Sequence, residues 1–166
     1  MLTEEKIYFA GSIRGGREDA ELYFKLIEHL GNYGTVLTEH VGAKNLDSSG
    51  EKDISDQQIH DRDMDWLSSS TSVVAEVTKT SMGVGYELGR MIERNLWMGC
   101  RPILCLYRPQ EGMRLSAMIS GCDWLKVENY KDLDQGKKII DDFYGNIEQI
   151  RKDLENKLTE RFEADN

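Results

Sequence analysis

Cysteine and histidine are scarce in this sequence, three of each in 166 residues. Cys100, Cys105 and Cys122 have neither the spacing of a zinc site nor that of a disulfide framework. Their odd number points to reduced thiols, read here as buried structural cysteines. His29, His40 and His60 are dispersed without a ligand-pairing interval, so no metal and no cofactor is expected. Long apolar runs are missing as well. No window approaches the roughly 20 apolar residues of a membrane span, and Met1–Lys6 lacks a signal-peptide profile. A cytosolic chain, reaching the nucleus by diffusion, is the expectation. Positive charge is in deficit: 21 Lys and Arg face 30 Asp and Glu, for a net charge of −9. An acidic surface repels a nucleic-acid backbone, so any phosphate site must be a local basic island. The length suits one domain, with a core over about 6–145 and a helical extension over 146–166.

What is present is a regular alternation of strand and helix patterns. Lys6–Ala10 reads as a first strand and Gly11-Ser12-Ile13-Arg14-Gly15-Gly16-Arg17 as a glycine-rich turn. A helix follows from about Arg17 to Leu30, with Leu22, Tyr23, Leu26, Ile27 and Leu30 on one face. Thr35–Thr38 is a short strand, and residues 42–53 have loop composition and are expected to be mobile. Ser55–Ser69 is a helix, 72–77 a buried strand and 82–98 a helix. Strands over Pro102–Tyr107 and Trp124–Val127 flank a short helix at Leu115–Ile119, and a last helix runs from near Asp134 towards the C-terminus. This pattern predicts an α/β fold: a five-stranded parallel sheet in a flavodoxin-like three-layer sandwich, in the order 2-1-3-4-5. In the last helix, Ile140, Phe143, Ile147, Ile150 and Leu154 are spaced 3, 4, 3, 4. That spacing fits a core helix with a charged end, or a seam against a second subunit.

Ligands bind such sheets at the carboxyl ends of the strands, near the switch between strands 1 and 3. Both glycine turns fall there. Gly11–Gly16 matches neither a Walker loop nor a dinucleotide fingerprint, but offers N–H groups, the Ser12 hydroxyl and Arg14 to a phosphate monoester. A tight structural turn would look the same. Ser81-Met82-Gly83-Val84-Gly85-Tyr86-Glu87 carries a strand through glycines into a helix, with one carboxylate inside the first turns. Glu87 could face a ligand, or join Arg90 and Arg94 in a solvated stripe of ion pairs. On the helix at 55–69, Asp63 shares a face with Ile59, Trp66 and Leu67, whereas Asp61 and Asp65 point away. A carboxylate on an apolar stripe is either satisfied by backbone donors or put to use. Tyr8 reads as core. Two carboxylates from separate helices beside a phosphate cradle suit displacement at a sugar carbon.

Tyr8–Arg17, Thr38-Glu39-His40, His60-Asp61-Arg62-Asp63, Ser81–Gly89, Arg108-Pro109-Gln110 and Leu115–Ile119 together resemble the 2′-deoxynucleoside 5′-monophosphate N-hydrolases, relatives of the nucleoside 2-deoxyribosyltransferases. The similarity spans roughly residues 6–128, with the motifs in the family's order. It implies hydrolysis of a deoxynucleotide to free base and 2-deoxyribose 5-phosphate, without a cofactor. By position, Glu87 matches the nucleophile that forms a covalent deoxyribosyl intermediate, Asp63 the carboxylate that handles the proton at the base, and Tyr8 the tyrosine that positions carboxylate and sugar. Gly11, Ile13, Arg14 and Gly15 match the 5′-phosphate site together with Ser81 and Gly83. His40 resembles a residue near the base, and Ser116 one that reaches the phosphate from the neighbouring subunit of a homodimer. A deoxyribosyltransferase, a ribonucleotide N-glycosidase and a silent nucleotide-binding protein are the alternatives. The phosphate set favours monophosphates and hydrolysis, and retention of both Asp63 and Glu87 disfavours the silent binder.

Overall fold

A computed structural model describes residues 5–13, 18–42, 51 and 53–164. Among them, strands and helices follow one another as β1 (Glu5–Ala10), α1 (Ala20–Leu30), β2 (Gly34–Val36), α2 (Asp56–Ser69), β3 (Ser72–Glu76), α3 (Met82–Met98), β4 (Ile103–Tyr107), α4 (Ala117–Ser120), β5 (Lys126–Asn129), α5 (Leu133–Gly145) and α6 (Ile147–Ala164). The strands form one sheet in the order β2-β1-β3-β4-β5, every neighbouring pair parallel, as the alternation predicts. None of the described helices is long and apolar enough to cross a membrane.

Helices on both faces explain why the strands read as continuous apolar runs. Ile7, Phe9, Val74, Leu104 and Leu106 face α1 and α5. Tyr8, Val73, Ala75, Ile103 and Cys105 alternate with them and face α2 and α3. Each large side chain withdrawn from water contributes about 1.5–3 kcal/mol before ordering costs. Cys105 is buried here as expected, whereas Cys100 and Cys122 are only half-buried, and all three are free thiols.

Local chemistry places the elements that carry polar side chains. Ser55 and Gln58 form a capping box: the Gln58 N–H donates to Ser55 Oγ at 3.2 Å and the Ser55 N–H to Gln58 Oε1 at 2.9 Å. Their start sets the phase of α2, leaving Asp63 half-buried with Ile59 and Trp66, and Asp61 and Asp65 exposed. Ser81 caps α3 through Oγ, which accepts the Val84 N–H. Beyond β2, Thr38 both donates to the Phe9 carbonyl (2.7 Å) and accepts the Phe9 N–H (2.8 Å). That double bond fixes where His40, on the following 3-10 turn, can lie.

Two expectations need correction. β5 begins at Lys126, beyond Trp124 and Leu125, because Leu125 completes a turn through its N–H to the Cys122 carbonyl. The last helix is two helices. At Asn146 the backbone N–H turns back to the Phe143 carbonyl and the side-chain amide bonds the Asp142 carbonyl, which interrupts the helix. The 3-4-3-4 series is thereby split. Ile140, Phe143 and Ile147 are buried in the chain's own core, with Ile150 packed against them. α6 is tied down further by Arg151, which donates to Glu5 Oε1 at 2.6 Å, and by Lys157, 4.9 Å above the Trp124 ring. Residues 43–50, most of the stretch expected to be mobile, lie outside the described residues.

Candidate active site

The turns after β1 and β3 open into one cleft of about 670 Å³, walled by α2 and α3. Tyr8 occupies a core position, as its pattern indicates, and its hydroxyl donates at 2.7 Å to Oε1 of Glu87, which lines the cleft. The ring packs in the core, and the hydroxyl bonds the cleft carboxylate. Glu87 lies in the second turn of α3, where Leu88 and Met91 turn inward. Burial pushes its carboxyl up to about 7, the Tyr8 hydrogen bond opposes that, and the charge of Asp63 adds to it. The Tyr8 hydroxyl is driven far above the ordinary phenol range, first by burial and then by the Glu87 charge. Glu87 is thus not part of a solvated stripe.

Asp63 lines the same cleft from α2. Arg62 donates to its Oδ1 from Nε (3.0 Å) and an η nitrogen (2.9 Å). The same guanidinium grips Glu51 through bonds of 2.9 and 2.6 Å and stacks 4.6 Å above the Trp66 ring. The bond from Arg62 holds Glu51 below the usual carboxylate range. His40 joins this end of the cleft, its Nε2 lying 3.4 Å from Arg62 and 3.8 Å from Glu51, with its ring centre 5.5 Å from that of Trp66. Sequence reasoning missed this clamp. Glu51 sits in loop composition, which gives no hint of it, and the only signal for Arg62 is adjacency to Asp63.

At the opposite end Gly11, Ile13, Thr80, Ser81, Met82 and Gly83 line the cleft. The first N–H groups of α3 lack intrahelical acceptors and concentrate the positive end of the helix dipole there. The two glycines have different reasons. A Cβ on Gly11 would come within 3.0 Å of the Tyr23 ring and 3.2 Å of Phe9, so packing demands it. A Cβ on Gly83 would find only Ser81 Oγ, at 3.7 Å, and would project into the cleft. Ser12 is fully enclosed and does not line the cleft; its hydroxyl has no hydrogen-bond partner among the described residues. Arg14 and Gly15 fall outside the described residues. Ser116 caps α4 and is exposed, on a neighbouring cavity of about 580 Å³ that shares Thr80, Ser81 and Val84 with the cleft. Among the described residues, no group of three or more His, Cys, Asp or Glu side chains could hold a metal ion.

The arrangement brings a hydrogen-bonded, half-buried carboxylate and a second, arginine-clamped one to a single cleft that the N-terminus of α3 also lines. Comparison with known proteins agrees in kind. The family model for nucleoside 2-deoxyribosyltransferase matches residues 7–143. A Tetraodon nigroviridis protein named 5-hydroxymethyl-dUMP N-hydrolase is 50% identical over 145 residues, covering 85% of this chain and 98% of its own. A Danio rerio protein of the same name is 47% identical, covering 83% and 94%. A Nematostella vectensis protein, named as a candidate 2′-deoxynucleoside 5′-phosphate N-hydrolase, is 55% identical, covering 78% and 87%.

Proposed function

The chain belongs to the nucleoside 2-deoxyribosyltransferase family, and from that premise we propose that it hydrolyses the N-glycosidic bond of 2′-deoxynucleoside 5′-monophosphates, releasing the base and 2-deoxyribose 5-phosphate. The observation that carries this reading is the Tyr8–Glu87 pair, set in one cleft between the α3 N-terminus and Asp63.

In this reading the α3 N-terminus, with Ser81, Gly83, Gly11, Ile13, Arg14 and Gly15, receives the 5′-phosphate. The Glu87 carboxylate attacks C1′ as the bond to the base breaks, and the bonding pair leaves with the base. Asp63 supplies the proton the base needs; Arg62 occupies Oδ1, which leaves that proton to Oδ2. Water then attacks C1′, freeing the Glu87 carboxylate and returning its proton to Asp63. Tyr8 holds one Glu87 oxygen, so the other is aimed at the sugar. A deoxyribose lacks the electron-withdrawing 2′-hydroxyl, so its oxocarbenium-like transition state is reached with two carboxylates. The Arg62–Glu51–His40 end receives the base; two fish relatives carry the name 5-hydroxymethyl-dUMP N-hydrolase, which supports including a modified base among the substrates to be tried.

A chromatographic panel of normal and modified deoxynucleotides, ribonucleotides and nucleosides tests this. Deoxynucleoside monophosphates are expected to be cleaved with kcat/KM about 100-fold or more above the matching nucleosides, the binding energy of a remote phosphate being used for orientation. Equal rates on both would overturn the phosphate end. Gly83→Ala is expected to raise KM for monophosphates about tenfold with the melting temperature unchanged, since its Cβ enters the cleft and not the core. Gly11→Ala should instead cost about 1–3 kcal/mol of stability by overpacking Tyr23, read by thermal unfolding.

The active unit is a homodimer in which Ser116 reaches the phosphate of the neighbouring subunit's site. Two features support this: Ser116 borders a cavity adjoining Ser81, and the exposed Met113 and Met118 line it. Mixing inactive Glu87→Gln and Ser116→Asp proteins should restore about a quarter of wild-type activity, one complete site in each mixed dimer. No recovery despite verified subunit exchange would count against the shared site.

A further inference from the structure

One buried carboxylate takes no part in that chemistry. Glu76 closes β3 on the face opposite Glu87, is fully enclosed and does not line the cleft. Burial raises its carboxyl above the ordinary range, against the hydrogen bonds it accepts. Oε1 accepts the Tyr130 hydroxyl at 2.8 Å and the Thr78 hydroxyl. Oε2 accepts the Thr78 backbone N–H at 3.3 Å and the Tyr23 hydroxyl at a long 3.5 Å. Arg108 Nε stands 3.9 Å from Oε1, and an η nitrogen of Arg108 pairs with Asp19. A chain does not enclose a carboxylate for packing alone, since an apolar side chain fills the same space without the desolvation cost.

Two of its partners, Tyr23 and Thr78, connect it to the turns that build the site. The Tyr23 hydroxyl also accepts the Ser12 backbone N–H, and the Tyr23 ring is the wall against which Gly11 rests. Thr78 stands at the head of the segment running to Ser81, and its hydroxyl oxygen accepts the Arg108 backbone N–H at 2.8 Å, which ties in the loop after β4. One carboxylate is therefore bonded through Tyr23 to the turn at 11–13, and directly to Thr78 on the turn that leads into α3. These are the two turns lining the phosphate end of the cleft.

We infer that Glu76 is a positioning residue for 5′-phosphate recognition, fixing the turn after β1 relative to the N-terminus of α3. The inference rests on the proposal that those turns hold the phosphate. A cradle shared by two separate turns binds well only if its donors are placed before the ligand arrives, because ordering them on binding is subtracted from affinity. Tyr130 shares the same carboxylate but, among the described residues, hydrogen-bonds to neither turn, which separates positioning from packing.

The test compares full-length Glu76→Gln, Tyr23→Phe and Tyr130→Phe with the unaltered enzyme. The readouts are the kcat/KM ratio of a deoxynucleoside monophosphate to its nucleoside, calorimetric affinity for 2-deoxyribose 5-phosphate, and melting temperature. Glu76→Gln is expected to lower the ratio and the affinity about tenfold and Tyr23→Phe several-fold, through KM and not kcat. Tyr130→Phe is expected to lower the melting temperature while the ratio stays within about twofold. An unaltered enzyme without preference for the monophosphate overturns the phosphate reading, and this inference with it. A preference that persists in folded Glu76→Gln and Tyr23→Phe overturns this inference alone, as does an equal loss in Tyr130→Phe. If Glu76→Gln does not fold, Tyr23→Phe, which keeps its ring packed on Phe9 and Gly11, decides between these outcomes.

Discussion

Replacement of Glu87 by Gln is expected to cut turnover of deoxynucleoside monophosphates by about 10³-fold or more while nucleotide still binds, because an amide has the shape of the nucleophile but not its charge. Quenched-flow release of base, alongside equilibrium binding, measures the two separately. Near-normal turnover would remove Glu87 from the nucleophile role. The same residue sets a pH dependence. Burial holds its carboxyl up to about 7, and attack needs the carboxylate, so the acid limb of kcat/KM should climb with pH towards about 7. The stability effect has the opposite sign. From its ordinary value of 4.5 up to about 7, the unfolded chain ionises this group while the folded chain does not. The native protein therefore loses stability over that window and stays at the lower level above it. Glu87→Gln removes the loss: at pH 8 the variant should be more stable than the unaltered chain by about 1–3 kcal/mol, with the difference vanishing near pH 4. Chemical denaturation at both pH values measures it. An activity-dead variant that is also less stable at pH 8 would show that the strain of burying Glu87 is not stored where this geometry puts it.

Asp63→Asn is expected to lower kcat by about 10²–10⁴-fold, and the loss should depend on the base. A base that departs readily as an anion needs little protonation and should suffer least; a basic, poorly departing one should suffer most. The decisive plot is log kcat against leaving-group pKa, which should steepen in the variant. A loss equal across all bases would reassign Asp63 to orienting the sugar. The variant also probes the coupling between the carboxylates. Because the Asp63 charge raises the Glu87 pKa, its removal should shift the rising limb of kcat/KM to lower pH. Arg62 stays in place in this variant, held by two bonds to Glu51 and by Trp66, so the shift reports charge and not collapse of the clamp.

Particular residues show how far a linear reading reaches. The helical phase that put Asp63 beside Ile59 and Trp66 placed it on the cleft wall, since an angle per residue survives any tertiary arrangement. Strand alternation could say only that Tyr8 faces a core; that its hydroxyl ends 2.7 Å from a carboxylate 79 residues away required the packing of α3 on β1. Glu76 shows the limit most sharply. Within an apolar strand it carried no mark of function, and its partners come from four places in the chain: Tyr23, Thr78, Arg108 and Tyr130. Glu51 is similar, recruited by Arg62 from a stretch without periodicity. The split of the last helix at Asn146 was hidden because the 3-4-3-4 spacing continues across the break.

The chain's own order of residues determined the parallel sheet, its strand order, the two glycine turns at its carboxyl edge and the carboxylates beside them. Each of these follows from local periodicity, capping and turn chemistry, which act over a few residues and are written in sequence. Only the tertiary structure decided which groups meet: Tyr8 with Glu87, Arg62 with Asp63 and Glu51, and Glu76 with the supports of both turns. The physical reason is that hydrogen bonds and charge coupling act through distances of a few ångströms in space, and burial sets their strength. Neither distance nor burial is a property of any one stretch of the chain.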